Sequence, residues 1–193
     1  MAKPNVISKK SLLEATKQCI VELGIEKLTL RAVAEKAKVT QGTVYYHFQT
    51  KEQLLFEVVQ EICRSSWQET QDFKGAPTQQ VKQALDGAQG RCTPDSFYHR
   101  LFFSLMVMGF HNERIREQLG ELLQEENLQL AKQVEQLSES PIAGISSDIW
   151  SILLNAVIDG LAIQALLVED FPTKKVYDAL EKIILLGLEG KND

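Results

Sequence analysis

Apolar residues recur at three- and four-residue spacing along almost the whole chain, and no stretch sustains the two-residue alternation of a half-buried strand, so the pattern predicts an all-α protein. A first helix over 8–24 carries Leu12, Ala15, Ile20 and Leu23 on one side and stops at Gly24, a residue suited to the left-handed position after a helix. Thr29 reads as the N-cap of a short helix over 30–37, with Leu30, Val33, Ala34 and Ala37 inward, and Thr40 as the cap of another over 41–48. Thr50-Lys51-Glu52-Gln53 has the form of a capping box and opens a helix expected over 51–72. The breaker stretch 73–77 predicts a loop, Thr78 a cap for a helix over 78–86, and Gly87, Gly90 and Pro94 a second loop. Further helices are expected over 95–109, opened by Asp95, and over 112–138, with Ile115, Leu119, Leu122, Leu123, Leu130, Val134 and Leu137 on its inner side; after a loop over 140–147, two more follow over 148–169 and 173–189.

The last two of these helices are apolar nearly all round. Between Ile149 and Val168 the clearly polar residues are Ser151, Asn155, Asp159 and Gln164, and from Tyr177 to Leu188 the charged ones are Asp178, Glu181 and Lys182. Such helices must bury two faces, one against their own core and one against a partner chain. A membrane span is the competing reading of 149–168, but Asp159 at its midpoint with Asn155 one turn earlier makes that costly, and the run has no basic flank.

Charge changes the picture through its distribution. The net charge of the 193 residues is −5, yet residues 1–51 hold nine Lys or Arg against four Glu, a local +5, leaving −10 on the remainder. A basic segment on an acidic body is the expected electrostatic footprint of a nucleic-acid binder. The three cysteines, Cys19, Cys63 and Cys92, sit at no metal-like spacing and read as small apolar residues in a reducing compartment. With no apolar signal segment ahead of the first helix, a cytoplasmic protein is expected.

The informative stretch runs from Leu28 to Leu55: a short capped helix, a tight turn at Lys38-Val39 and a second short helix, the layout that lets a recognition helix enter the major groove. Thr29 and Thr40 place hydroxyls at helix N-termini, where free amides and the dipole favour a phosphate, and Lys51 can make a charge-assisted phosphate contact. Gln41 can pair with adenine, the methyl of Thr43 can meet that of thymine, and Gly42 permits close approach. Tyr45, Tyr46 and His47 fan over about 200° of a helix and cannot all be core. The pattern of Leu30, Val33, Ala34 and Ala37, the turn Val39-Thr40-Gln41-Gly42-Thr43, the run Tyr45-Tyr46-His47-Phe48 and Lys51 resemble the tetracycline-repressor (TetR) family over residues 9–56. The resemblance implies an N-terminal three-helix DNA-binding domain over 1–52 and a larger helical ligand-binding and dimerisation domain over 53–193. It further implies that Gln41 and Thr43 read bases while Tyr45, Tyr46 and His47 contact sugar-phosphate, and it gives no effector.

In the larger domain Trp67, Phe102, Phe103, Met106, Phe110 and Trp150 are candidates to line an apolar effector pocket, each with plain core as the competing role. Asn155 and Asp159 are candidates for polar recognition, or are held by structural partners. His99, His111 and Glu113 lack compact ligand spacing, so neither metal nor cofactor is expected. No activated nucleophile or phosphate-binding glycine loop points to an enzyme. The expected molecule is a homodimer, paired through its two C-terminal helices, that represses at a palindromic operator of double-stranded DNA and answers a small-molecule effector. An activator, or a regulator controlled by a peptide or protein partner, is the alternative.

Overall fold

The computed structural model describes residues 7–70, 75–93, 97–138 and 140–189, which form nine α-helices and no strand. These are α1 (Lys9–Leu23), α2 (Leu30–Ala37), α3 (Gln41–Phe48), α4 (Lys51–Thr70), α5 (Pro77–Arg91), α6 (Phe97–Gly109), α7 (Glu113–Leu137), α8 (Ser147–Leu167) and α9 (Thr173–Glu189). The all-α expectation holds, and several ends are set by the caps the sequence announces. Ser8, Thr29 and Thr40 each accept a hydrogen bond from the backbone N–H three residues on, at 3.1, 3.1 and 3.2 Å. Gly24 ends α1 at φ 82°. The Thr50 hydroxyl accepts from Gln53 N–H at 3.1 Å, but the Gln53 carboxamide reaches Glu57 and Gln118, so the reciprocal half of the capping box is absent.

One segment departs from the expected pattern. α5 starts at Pro77, with Ala76 as N-cap in place of Thr78, and runs through Gly87 and Gly90 to Arg91 where a loop was expected. Proline at the first helical position has no N–H to lose. Two glycines cost a helix about 1 kcal/mol each, and burial of Val81, Leu85 and Ala88 along one side outweighs that. The expected end of α4 at 72, the breaker residues 73 and 74, Pro94 and the cap at Asp95 lie outside the described residues.

Two compact units result, and the chain passes between them more than once. The first comprises residues up to Ile62 together with Arg100–Leu119, and the second Cys63–His99 with the residues from Gly120 onward. In the first, α1 packs on α2 and α2 on α3, around Leu12, Leu28, Val33, Val44, Phe48, Leu54 and Val58, all fully buried. In the second, α5 packs on α9 through Val81, Leu85, Tyr177, Leu180 and Ile184. α8 is long and apolar enough to cross a membrane by length and composition, and Asn155 and Asp159 interrupt it.

Candidate functional site

In the first unit, α2 and α3 are eight-residue helices joined by a turn in which Lys38 adopts a left-handed conformation, φ 56°, and Val39 N–H donates to Ala34 O at 2.9 Å. Val44 and Phe48, four residues apart, bury one side of α3 completely. The opposite side is therefore forced outward: Gln41, Gly42, Tyr45 and Tyr46 are exposed, with Tyr46 at 82% and Tyr45 at 58%. Two large aromatics left in water on one short helix form a surface suited to another macromolecule. Thr43 and His47 are half-buried, and the His47 ring stands edge-on to that of Tyr46, 5.4 Å between centroids. A Cβ at Gly42 would meet the Thr40 hydroxyl at an ordinary 3.6 Å, so nothing inside the unit requires glycine there.

The hydroxyls of Thr29 and Thr40 are engaged as caps, and that of Thr40 is also 3.0 Å from the Thr43 hydroxyl. Lys51 is placed differently from a free phosphate ligand. Its ammonium donates to Ile25 O at 2.8 Å and Glu26 O at 3.4 Å, tying the start of α4 to the α1–α2 connection. Four of the basic residues that make this segment positive are neutralised locally: Lys9 by Glu57, Lys17 by Glu14, Arg31 by Glu35 and Lys36 by Glu22. Lys10, Lys27 and Lys38 make no ion pair with a described residue and carry the outward charge.

The second unit contains an apolar pocket of about 810 Å³ of empty space, part of it open to solvent. α5 contributes Gln80, Val81, Ala84 and Leu85; α7 contributes Leu130, Gln133, Val134, Gln136 and Leu137. Ile142, the α8 residues Trp150, Leu154 and Ile158, and Ile184 of α9 complete the wall. The Trp150 indole N–H donates to Ile142 O at 2.9 Å, which satisfies its polar edge and leaves the ring as wall.

Of the residues singled out from sequence for effector contact, Trp150 belongs to this pocket. Phe102, Phe103, Met106 and Phe110 fall in the first unit, Phe102 buried in its core and Phe110 72% exposed. Trp67 and Asn155 are half-buried in the second unit, and the Asn155 amide donates to Asn127 Oδ1 at 2.6 Å. Asp159 is half-buried; burial pushes its carboxyl up to about 6. Glu126 of α7, which the sequence reading did not single out, is likewise pushed up to about 6 by burial, with nearby Asp159 adding to the rise. The thiol of Cys63 and the hydroxyl of Tyr98 are 3.2 Å apart, and burial raises both. His99 is buried with its Nδ1 3.1 Å from Arg91 O, whereas His111 is exposed in the first unit. No group of metal-ligating side chains comes together among the described residues.

The sequence profile of the bacterial regulatory proteins of the tetR family matches residues 12–58. A curated relative from Escherichia coli strain K12, described as a "Probable acrEF/envCD operon repressor", is 33% identical over 82 residues, 40% of this chain. That match spans 37% of the relative's length. Among solved structures, the fatty acid degradation regulator FadR from Bacillus halodurans aligns with a TM-score of 0.72 at 14% identity, over 92% of this chain and 98% of its own. FadR from Bacillus subtilis, solved with stearoyl-CoA, aligns with a TM-score of 0.68 at 15% identity, over 93% and 99%. At such identities the likeness is one of fold.

Proposed function

We propose, from the match of residues 12–58 to the tetR family of bacterial regulatory proteins, that the chain is a cytoplasmic, non-enzymatic transcriptional repressor that grips a palindromic operator as a homodimer and lets go when a small molecule binds. The observation that carries the reading is α3, whose Val44–Phe48 side is locked in the core while Tyr45, Tyr46, Gln41 and the glycine at 42 face out. A short helix held that rigidly presents its N-terminal turn to base edges and its tyrosines to the sugar-phosphate backbone.

Dimerisation is supported by the outward side of α8, where Ile149, Ile152, Leu153, Val157, Ile163 and Leu167 are all exposed at helical spacing, with Ile183 and Leu186 exposed on α9. A pair of such helices from each chain would make a four-helix contact and set two recognition helices about 34–36 Å apart, one turn of DNA. Release by an effector is then a population shift between spacings, and requires the effector to bind one of them more tightly.

The test is selection of bound fragments from the source genome by the purified protein. The expected result is an enriched palindrome whose half-sites are centred about one helical turn apart. Enrichment of a single unpaired half-site would overturn the dimeric reading, and recovery of nothing beyond salt-sensitive background would overturn operator recognition.

A further inference from the structure

Protein interiors are close-packed, and a void bordered by aliphatic side chains forfeits their dispersion contacts. Leu85 of α5, Leu130 of α7, Leu154 of α8 and Ile184 of α9 form an apolar wall of the pocket, and water is a poor occupant beside them because those side chains offer it no hydrogen bonds. None of the residues lining the pocket is acidic, basic or a histidine. Asp159 follows Ile158 on α8 but is not part of the lining, so a charge carried inside the pocket would shed its hydration without meeting a counter-charge. The polar members are carboxamides, Gln80, Gln133 and Gln136, and Gln136 is exposed, which places the polar side of the pocket toward its opening. A carboxamide both donates and accepts, the complement of a neutral hydroxyl, carbonyl or amide.

We propose that this pocket receives an uncharged, mainly hydrocarbon molecule carrying one neutral hydrogen-bonding group, its body against Trp150 and Leu154 and its polar end at Gln136. The assignment rests on the reading of the chain as an effector-responsive regulator, and gives the effector's chemical class. Its residues differ from those expected from sequence: Trp150 is shared, α9 supplies part of the wall through Ile184, and α4 supplies none of it.

The experiment titrates the full-length protein with three probes sharing one body: diphenylhexatriene, which is neutral, its cationic trimethylammonium derivative and its anionic propionic acid derivative. Fluorescence enhancement is expected to report binding of the neutral probe about tenfold or more tighter than either charged form, since only the charged forms carry a desolvation cost. Filling the pocket by Ala84→Phe, or by Leu154→Phe should the first variant lose its helical signal, is expected to weaken the neutral probe about tenfold. Equal or tighter binding of a charged form, no binding of the neutral probe, or unchanged binding by a folded filling variant would each overturn the proposal. Operator affinity of the same preparations is measured separately. A protein that binds the neutral probe but no DNA would sink the repressor reading and leave the pocket standing; one that binds DNA but no neutral probe would do the reverse.

Discussion

At the scale of single residues, Tyr46 and Lys51, both proposed to face DNA, differ in how far the fold itself uses them. Tyr46 is 82% exposed and supports nothing in its own unit beyond an edge contact with His47. Lys51 is half-buried and is a structural tie, since its ammonium holds the carbonyls of Ile25 and Glu26. Their alanine variants therefore separate. Tyr46→Ala is expected to leave the thermal midpoint within the range of a surface change, about 0.5 kcal/mol, while operator affinity falls about tenfold for the lost contact. Lys51→Ala is expected to lower both, losing on the order of 1 kcal/mol or more of stability as two carbonyls lose a charged donor. Thermal unfolding and DNA titration on the same two proteins check this; if Lys51→Ala left stability untouched, the tie to the α1–α2 connection would not matter to the fold.

At the scale of elements, what the sequence revealed tracks how local the determining physics is. Thr29, Thr40 and Gly24 act within one turn, so α1–α3 were legible almost to the residue, and with them the exposed side of α3. α5 was read as ending before Gly87 because glycine is a local signal, whereas the burial of Ala88 that sustains the helix depends on tertiary packing. The aromatic residues drew attention as pocket candidates, but Phe102 and Phe103 belong to one unit and Trp150 to the other, a division created by the chain's return at residues 100–119. Glu126 escaped notice for the same reason: on the sequence it is one glutamate among many along α7, and only packing buries it beside Asp159. Burial raises its carboxyl from 4.5 to about 6, so the fold disfavours the ionised form. Above pH 6 the folded state carries that cost in full; as pH falls through 6 the folded protein takes up the proton while the unfolded chain waits until about 4.5, and the cost disappears. Glu126→Gln is therefore expected to raise stability at pH 7.5 by an amount on the order of 2 kcal/mol, with most of the gain gone by pH 4.5. Thermal midpoints of parent and variant at the two pH values measure it, and a pH-independent difference would mean that the carboxyl is not ionised at a cost in the fold.

At the scale of the whole molecule, the issue is what the outward side of α8 is for. Residues 149, 152, 153, 157, 163 and 167 follow the 3.6-residue repeat along one side of a 21-residue helix, and every one is a large aliphatic residue at least 42% exposed. The opposite side, with Ser151, Leu161, Ala162 and Ala165, is buried within the second unit. A helix with aliphatics in water on one side and a core on the other is stable in solution when a second surface covers the first. A two-fold pairing supplies that cover from an identical copy, and it also explains why a single recognition module of modest charge would suffice for tight binding. Under the proposed function, with four of its cations already paired to glutamates, one module would neutralise few phosphates, whereas two linked modules would make the second contact intramolecular. Leu153→Glu sits at the middle of the stripe, and its side chain is 46% exposed in the isolated chain, so the unit is expected to fold around it. Light scattering should then find the parent at twice the mass of the chain and the variant at the mass of one. Operator affinity should fall about a hundredfold or more, with the salt dependence of binding roughly halved as one set of phosphate contacts is lost. A variant that remains dimeric would place the pairing surface elsewhere, and a monomer that still binds the full operator as tightly as the parent would mean that pairing does not contribute to recognition.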